Sequence, residues 1–191
     1  MNCLVVLSNK ALVSGSTDKT IKLWDLYNFE LIQTLEGHTS SVSSLSEMSN
    51  GKLASSSWDG TIKIWDLSNG GSLEKTLKDE KVYVARSLTM LKDNYLASYD
   101  EDCIYIWNAA TGNLTETIKD NGVYINALTN LANNYLVSGL DRGIKMWKPI
   151  LKSNNIIEMT TSESPVSDYQ STKRRKMVYS STLQSGKTQQ S

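Results

Sequence analysis

Apolar and polar residues alternate through short segments of this chain, and the same kind of segment recurs four times. The clearest copy spans residues 55–67, where Ile62-Lys63-Ile64-Trp65 follows a turn that contains Asp59 and Gly60. Alternation with a period of two residues is typical of a β-strand, and β-branched and aromatic residues favour that structure. Each copy therefore predicts two short strands joined by a tight turn.

The spacing between the copies is nearly constant. A tryptophan lies near the end of the second strand of each copy, and consecutive tryptophans are 41, 42 and 40 residues apart. These tryptophans are Trp24, Trp65, Trp107 and Trp147. A repeat of about 40–45 residues is the length of one four-stranded blade of a β-propeller. The spacing therefore predicts a series of such sheets.

The residue after each tryptophan adds a second signal. Two copies read Trp24-Asp25 and Trp65-Asp66, whereas the others read Trp107-Asn108 and Trp147-Lys148. With four copies in phase, residues 1–149 resemble the WD40-repeat β-propeller family. The resemblance implies an all-β fold of four-stranded antiparallel units, the last of them incomplete. The four units are expected at residues 1–36, 37–78, 79–119 and 120–149.

Four units are few for this family, whose rings have about 4–8 blades and commonly seven. Three interpretations stay open: a fragment or truncated member of a longer propeller, an open arc that pairs with another chain, and a closed four-blade ring. We favour the fragment, because an open arc exposes an apolar face at each end. Residues 155–159 are a candidate for the fourth strand of the last unit.

Composition changes after Pro149. Residues 150–191 are rich in Ser, Thr, Gln and Lys and lack a periodic apolar pattern, which predicts a disordered tail. Its basic cluster at residues 173–176 is compatible with a nuclear-localisation signal, although such clusters often only improve solubility.

The net charge, the apolar segments and the cysteines of the chain restrict the class of protein to which it can belong. The 191 residues carry a formal net charge of zero, which gives no sign of a nucleic-acid-binding surface. No apolar segment approaches the length of a membrane span. The two cysteines, Cys3 and Cys103, lie in non-adjacent units, so thiols rather than a disulfide are expected. These features favour an intracellular protein, cytoplasmic or nuclear, that does not bind membranes.

The single histidine, His38, is the first candidate for chemistry. The family resemblance implies instead that it joins a structural hydrogen-bonded set with Ser55, Asp59 and Trp65. A general base or metal ligand would need converging Cys, His or carboxylate partners, and the sequence offers none at ligand spacing. No catalytic residue, metal or cofactor is therefore expected. The same resemblance implies partial sets in the other units, made of Ser14, Asp18 and Trp24; Ser98, Asp102 and Trp107; and Ser138, Asp141 and Trp147.

Partner binding is the alternative role for exposed side chains. Trp58 lies before the turn Asp59 instead of inside a strand, and in similar proteins that position faces the surface where partners dock. Leu140 is its counterpart in the last unit, and Tyr83 and Tyr124 come just before the opening strands of the third and fourth units. Exposed aromatic residues are plausible binding anchors. We expect these four residues to contact a protein or peptide partner.

The expected function is therefore a non-catalytic scaffold for protein–protein interactions, with self-association that completes the propeller as a further possibility. One alternative is an enzyme-associated propeller domain, for example a ubiquitin-ligase substrate receptor. Another is a truncated fragment without independent function.

Overall fold

The fold is built from β-strands, and the described residues contain no helix. The structure is a computed structural model that describes residues 1–101, 103–119, 124–131, 135–141, 143–151 and 157–162. The first eight strands are β1 (Cys3–Val6), β2 (Ala11–Gly15), β3 (Ile21–Asp25), β4 (Leu31–Leu35), β5 (Val42–Glu47), β6 (Leu53–Ser57), β7 (Ile62–Asp66) and β8 (Ser72–Leu77). The other eight are β9 (Ser87–Met90), β10 (Tyr95–Tyr99), β11 (Cys103–Asn108), β12 (Leu114–Lys119), β13 (Ile125–Asn130), β14 (Leu136–Leu140), β15 (Gly143–Leu151) and β16 (Ile157–Ser162).

These strands form four separate sheets, each of four antiparallel strands that are consecutive in the chain. In every sheet the order of hydrogen-bonded neighbours follows the order in the sequence, so β1 pairs with β2, β2 with β3 and β3 with β4. The expected all-β series of four-stranded units is therefore confirmed.

The fourth sheet differs from the expectation in one respect, because it is not incomplete. Strand β15 continues through Pro149, and β16 pairs with it from Met146 to Leu151. Strand β14 begins at Leu136, opposite Trp147, so Pro149 has a paired strand on one side only. Proline lacks an N–H donor and is tolerated at such positions. The candidate strand at residues 155–159 overlaps β16, whereas residues 163–191, with most of the expected tail, lie outside the described residues.

Each sheet has two apolar faces. One face of the second sheet carries Leu45, Leu53 and Trp65, and we call the corresponding side of every sheet its leading face. The opposite face holds Ala54, Ile62 and Ile64, and we call this side the trailing face. The alternating pattern of the sequence thus separates the tryptophan from the isoleucines across the sheet.

Three apolar clusters hold the sheets together. The first joins Val13, Ile21 and Leu23 on the trailing face of the first sheet to Leu45, Leu53 and Trp65. The second and third repeat this arrangement, with Ala54, Ile62 and Ile64 against Leu88, Leu96 and Trp107, and with Ala97, Ile104 and Ile106 against Leu128, Leu136 and Trp147. Burial of one large apolar side chain stabilises a fold by roughly 1.5–3 kcal/mol. Stacking between sheets is therefore the main source of stability.

Backbone hydrogen bonds also connect the sheets at one edge. Three N–H groups at or just before the first strand of a sheet donate to carbonyls of the preceding sheet. They belong to Val42, Ala85 and Ile125, and they bond the carbonyls of Ser16, Ser57 and Glu101 at 3.0, 3.1 and 3.0 Å. These bonds link each turn between the second and third strands to the next sheet. We call the surface formed by these turns and by the segments before β5, β9 and β13 the upper surface.

Candidate partner-binding surface

The structure brings His38, Ser55, Asp59 and Trp65 together beneath the upper surface. The indole N–H of Trp65 donates to Oγ of Ser55 at 2.8 Å. Nε2 of His38 lies 2.8 Å from the same Oγ, and Nδ1 lies 3.0 Å from Oδ2 of Asp59. An ionised carboxylate can only accept hydrogen bonds, so in the neutral imidazole Nδ1 carries the hydrogen and Nε2 accepts from Ser55. The set therefore forms a continuous series of hydrogen bonds, which runs from the indole of Trp65 through Ser55 and His38 to the carboxylate of Asp59.

Asp59 accepts the last hydrogen bond of this series. Burial alone would raise the pKa of its carboxyl, but hydrogen bonds from His38, Thr61 and the backbone N–H of Thr39 hold that pKa well below its ordinary value. Oγ1 of Thr61 donates to Oδ1 of Asp59 at 2.6 Å, a contact that no pattern in the sequence predicted. Asp59 is therefore ionised and fully engaged in holding the turn, and it is not placed as a catalytic base.

The pairing of tryptophan with serine recurs in the other three sheets. The indole N–H donates to the serine hydroxyl at 2.9 Å in the first sheet and at 3.0 Å in the third and fourth. These pairs are Trp24 with Ser14, Trp107 with Ser98, and Trp147 with Ser138. The turn carboxylates differ more, because Asp18 and Asp141 are exposed and accept hydrogen bonds from Thr20 and Asn126.

In the third sheet, a tyrosine instead of a histidine donates a hydrogen bond to the carboxylate of the turn. The hydroxyl of Tyr105 donates to Oδ2 of Asp100 at 2.5 Å and lies 3.3 Å from the carbonyl of Lys81. Burial, followed by the contact with Asp100, raises the pKa of Tyr105 far above its ordinary value. Asp102, the expected turn residue, lies outside the described residues. The only sign of this contact in the sequence is Tyr105 itself, because the other units have lysine at this strand position.

Three of the four expected anchors are exposed on the upper surface. The exposed fractions of Trp58, Tyr83 and Tyr124 are 58%, 80% and 60%. The backbone N–H of Trp58 donates to the carbonyl of Ser41 at 3.0 Å, which anchors the turn beneath the indole. Leu140 differs from these residues, because it is half-buried and packs against the third apolar cluster.

The turn with Trp58 lies directly against the segment with Tyr83. Gly60 in this turn has a φ of 77°, and a Cβ there would lie 2.5 Å from the carbonyl oxygen of Val82 and 3.0 Å from that of Tyr83. Only glycine allows so close an approach at this φ. The turn that carries Trp58 and the segment that carries Tyr83 are therefore in direct backbone contact.

A depression lies on the upper surface beside Tyr83. It is lined by Tyr83, Val84, Arg86, Asp100 and Glu101. Nη2 of Arg86 lies 3.0 Å from Oε1 of Glu101, in an exposed ion pair. The backbone carbonyl of Glu101 accepts the hydrogen bond from Ile125, which follows Tyr124 directly. The three aromatic residues thus occur in the order 58, 83, 124 across adjoining sheets.

Neither a metal-binding cluster nor a membrane-spanning helix occurs among the described residues. Among them, no group of three or more His, Cys, Asp or Glu side chains could hold a metal ion. Within the same ranges, no helix is long and apolar enough to cross a membrane.

Comparison with known families agrees with this architecture. Residues 1–25 and 29–66 match the family described as WD domain, G-beta repeat. The chain belongs to the WD40-repeat family. WD40 domains generally bind protein partners and are generally non-catalytic.

Several curated proteins are similar to this WD40 chain. The nuclear distribution protein nudF of Aspergillus niger is 36% identical over 146 residues, which cover 72% of this chain and 33% of that protein. The nudF protein of Emericella nidulans is 36% identical over 174 residues, with 82% and 39% covered. A shorter match of 44 residues, also 36% identical, covers 23% of the chain and 6% of myosin heavy chain kinase C of Dictyostelium discoideum. The chain spans between a third and two fifths of the length of the two nudF proteins.

Proposed function

We propose that this protein is a non-catalytic scaffold that binds a protein or peptide partner through its upper surface. The observation that supports this proposal is the row of exposed aromatic side chains at Trp58, Tyr83 and Tyr124, on adjoining segments of backbone. Tryptophan and tyrosine are enriched among the residues that dominate binding energy at protein interfaces. The partner would lie across this row, with the Arg86–Glu101 depression between the second and third aromatic residues.

The polar set beneath the surface holds the turn that carries Trp58. The turn that carries Trp58 is held by Asp59, which binds His38 and Thr61, and by the backbone bond to Ser41. A side chain on an ordered turn loses less conformational entropy on binding than one on a mobile loop. This preorganisation favours Trp58 as the principal contact.

The relatives suggest where a partner could be sought. Two of them are named nuclear distribution proteins, and the chain spans 33% and 39% of their lengths. Proteins that act in nuclear distribution are therefore the first partner class to test. We propose an intracellular location, cytoplasmic or nuclear, in keeping with Cys3 and Cys103 as thiols. Self-association is a separate proposal that involves other faces of the sheets.

A direct test uses peptides selected from a random displayed library on purified chain 1–191. Their dissociation constants would be measured for the wild type, for Trp58→Ala and for a matched control, Tyr27→Ala. Tyr27 is 95% exposed and lies in the turn between β3 and β4, at the opposite edge of the first sheet. We expect Trp58→Ala to weaken binding about 30-fold, equivalent to about 2 kcal/mol, and Tyr27→Ala to leave it unchanged. Equal affinities of the two variants would contradict the proposal.

A further inference from the structure

The leading face of the first sheet is exposed, whereas the leading face of each other sheet packs against the preceding sheet. Leu4 lies opposite Ser14 in the register, as Leu45 lies opposite Ser55, Leu88 opposite Ser98 and Leu128 opposite Ser138. The last three leucines are 8%, 6% and 8% exposed, whereas Leu4 is 51% exposed. Val6 and Leu31 on the same face are 59% and 48% exposed. An apolar strip therefore remains open at this end of the series.

The trailing face of the fourth sheet is open in the same way. Ile144 occurs three residues before its tryptophan, as do Ile21, Ile62 and Ile104. The other three isoleucines are fully buried at 0%, whereas Ile144 is 59% exposed. Leu131 on this face is 38% exposed, although its counterparts Leu7, Met48 and Leu91 are 4% exposed. Since both end faces are open, they do not cover one another within one chain.

The three internal clusters show what such faces bind. In each of them a trailing face with an isoleucine three residues before the tryptophan packs on a leading face with the leucine and the tryptophan. The open trailing face of the fourth sheet and the open leading face of the first carry apolar residues at the same positions as the two halves of an internal contact. Each is thus chemically complementary to the other.

We propose that the leading face of the first sheet binds the trailing face of the fourth sheet in a second copy of this chain. Two copies related by a twofold axis make this contact twice and close a ring of eight sheets, a size within the range of about 4–8 known for propellers. Closure removes all four open faces from water, and this burial is the driving force. The contact lies away from the upper surface, so it is independent of the binding of a partner there.

The test is the mass of chain 1–191 in solution, measured by sedimentation over a range of concentrations. We expect a reversible dimer, with twice the monomer mass of 21.3 kDa. Two single variants place a charge on one end face each: Leu4→Glu on the leading face and Ile144→Lys on the trailing face. Because both side chains are more than half exposed in the monomer, we expect both variants to remain folded, which near-ultraviolet circular dichroism of the tryptophans would verify. The matched control is Tyr83→Lys on the upper surface.

We expect Leu4→Glu alone and Ile144→Lys alone to be monomeric, and Tyr83→Lys to remain dimeric. An equimolar mixture of the two end-face variants should again contain dimers, because the intact leading face of Ile144→Lys meets the intact trailing face of Leu4→Glu. A wild-type chain that stays monomeric, or assemblies larger than dimers, would overturn the proposal. So would an Ile144→Lys variant that dimerises as well as the wild type, because the copies would then not be joined leading face to trailing face.

Discussion

In the second sheet, Oγ of Ser55 lies 2.8 Å from Nε2 of His38 and accepts the indole N–H of Trp65 at the same distance. Both partners are buried, so Ser55→Ala would leave two polar atoms without hydrogen bonds and without access to water. Each such atom costs about 1–3 kcal/mol. We expect Ser55→Ala to lower the free energy of unfolding by about 2–4 kcal/mol, measured by urea denaturation.

The matched control for this prediction is Ser14→Ala in the first sheet. Ser14 accepts the indole N–H of Trp24 at 2.9 Å, but Trp24 is half-buried and its N–H group can turn to water. Ser14 has no histidine partner, because the single histidine of the chain, His38, contacts Ser55 instead. We expect Ser14→Ala to cost less than about 1 kcal/mol. Equal costs at the two serines would show that the histidine adds no stability.

Acid should selectively weaken the turn that holds Asp59. Its pKa is lowered in the folded chain, because hydrogen bonds from His38, Thr61 and Thr39 outweigh the opposing effect of burial. A lowered folded-state pKa means that the contribution to stability is fully present above the unfolded-state pKa of about 3.9 and is lost as the pH falls below it. We expect the wild type to be more stable than Asp59→Asn at pH 7 and the difference to shrink below about pH 4.

Urea denaturation of both proteins at a series of pH values between 7 and 3 would check this prediction. Asp18→Asn serves as the control, because Asp18 occupies the corresponding turn of the first sheet but is exposed. Hydrogen bonds from Thr20 also lower the pKa of Asp18, but at an exposed site and without a histidine partner, so its substitution should reduce the pH dependence less than Asp59→Asn does. A stability difference between the wild type and Asp59→Asn that stays constant down to pH 3 would contradict the assignment of the ionised acceptor.

Much of the fold follows from local patterns in the sequence. The period-two alternation around Ile62 and Ile64 predicts strands, and the regular return of the tryptophans predicts four sheets. Both signals depend on residues that pack at the same place in every sheet, so each repeat reinforces the others. Strand β16 has a weaker signature, because it follows a proline and lies beyond the last tryptophan of the series, and only the candidate segment 155–159 pointed to it.

Contacts that occur in only one of the four sheets were harder to predict from the sequence. The hydrogen bond from Tyr105 to Asp100 forms only in the third sheet, because the other units have lysine at the position of Tyr105. An apolar face at each end was expected of an open arc, but the exposure of Leu4 and Ile144 in particular depends on the packing of whole sheets, because the residues themselves match buried residues elsewhere. Exposure of this kind is a property of the assembled sheets and has no signature in the strands.

The hydroxyl of Tyr105 should stabilise the third sheet as His38 does the second. In Tyr105→Phe, Asp100 loses the hydrogen bond donated at 2.5 Å in a half-buried turn, and the carbonyl of Lys81 loses a contact at 3.3 Å. We expect a loss of about 1–3 kcal/mol in the free energy of unfolding. Tyr124→Phe is the control, since Tyr124 is 60% exposed and should change stability by less than about 0.5 kcal/mol. Equal stabilities of the two variants would argue against the role of Tyr105.

The contribution of the close approach at Gly60 to stability can be measured by comparison with Gly51, a second glycine of equal φ. Gly60 and Gly51 both have a φ of 77°, but a Cβ on Gly60 would lie 2.5 Å from the carbonyl oxygen of Val82, whereas a Cβ on Gly51 meets no atom within 4 Å. Gly51→Ala should therefore cost only the backbone strain of about 1–2 kcal/mol. Gly60→Ala should cost clearly more, because the turn must also move away from the segment that carries Tyr83. Urea denaturation gives both values, and the same displacement should weaken peptide binding in Gly60→Ala alone. If both variants lost the same stability and bound peptide equally, Trp58 and Tyr83 would not form one rigid surface.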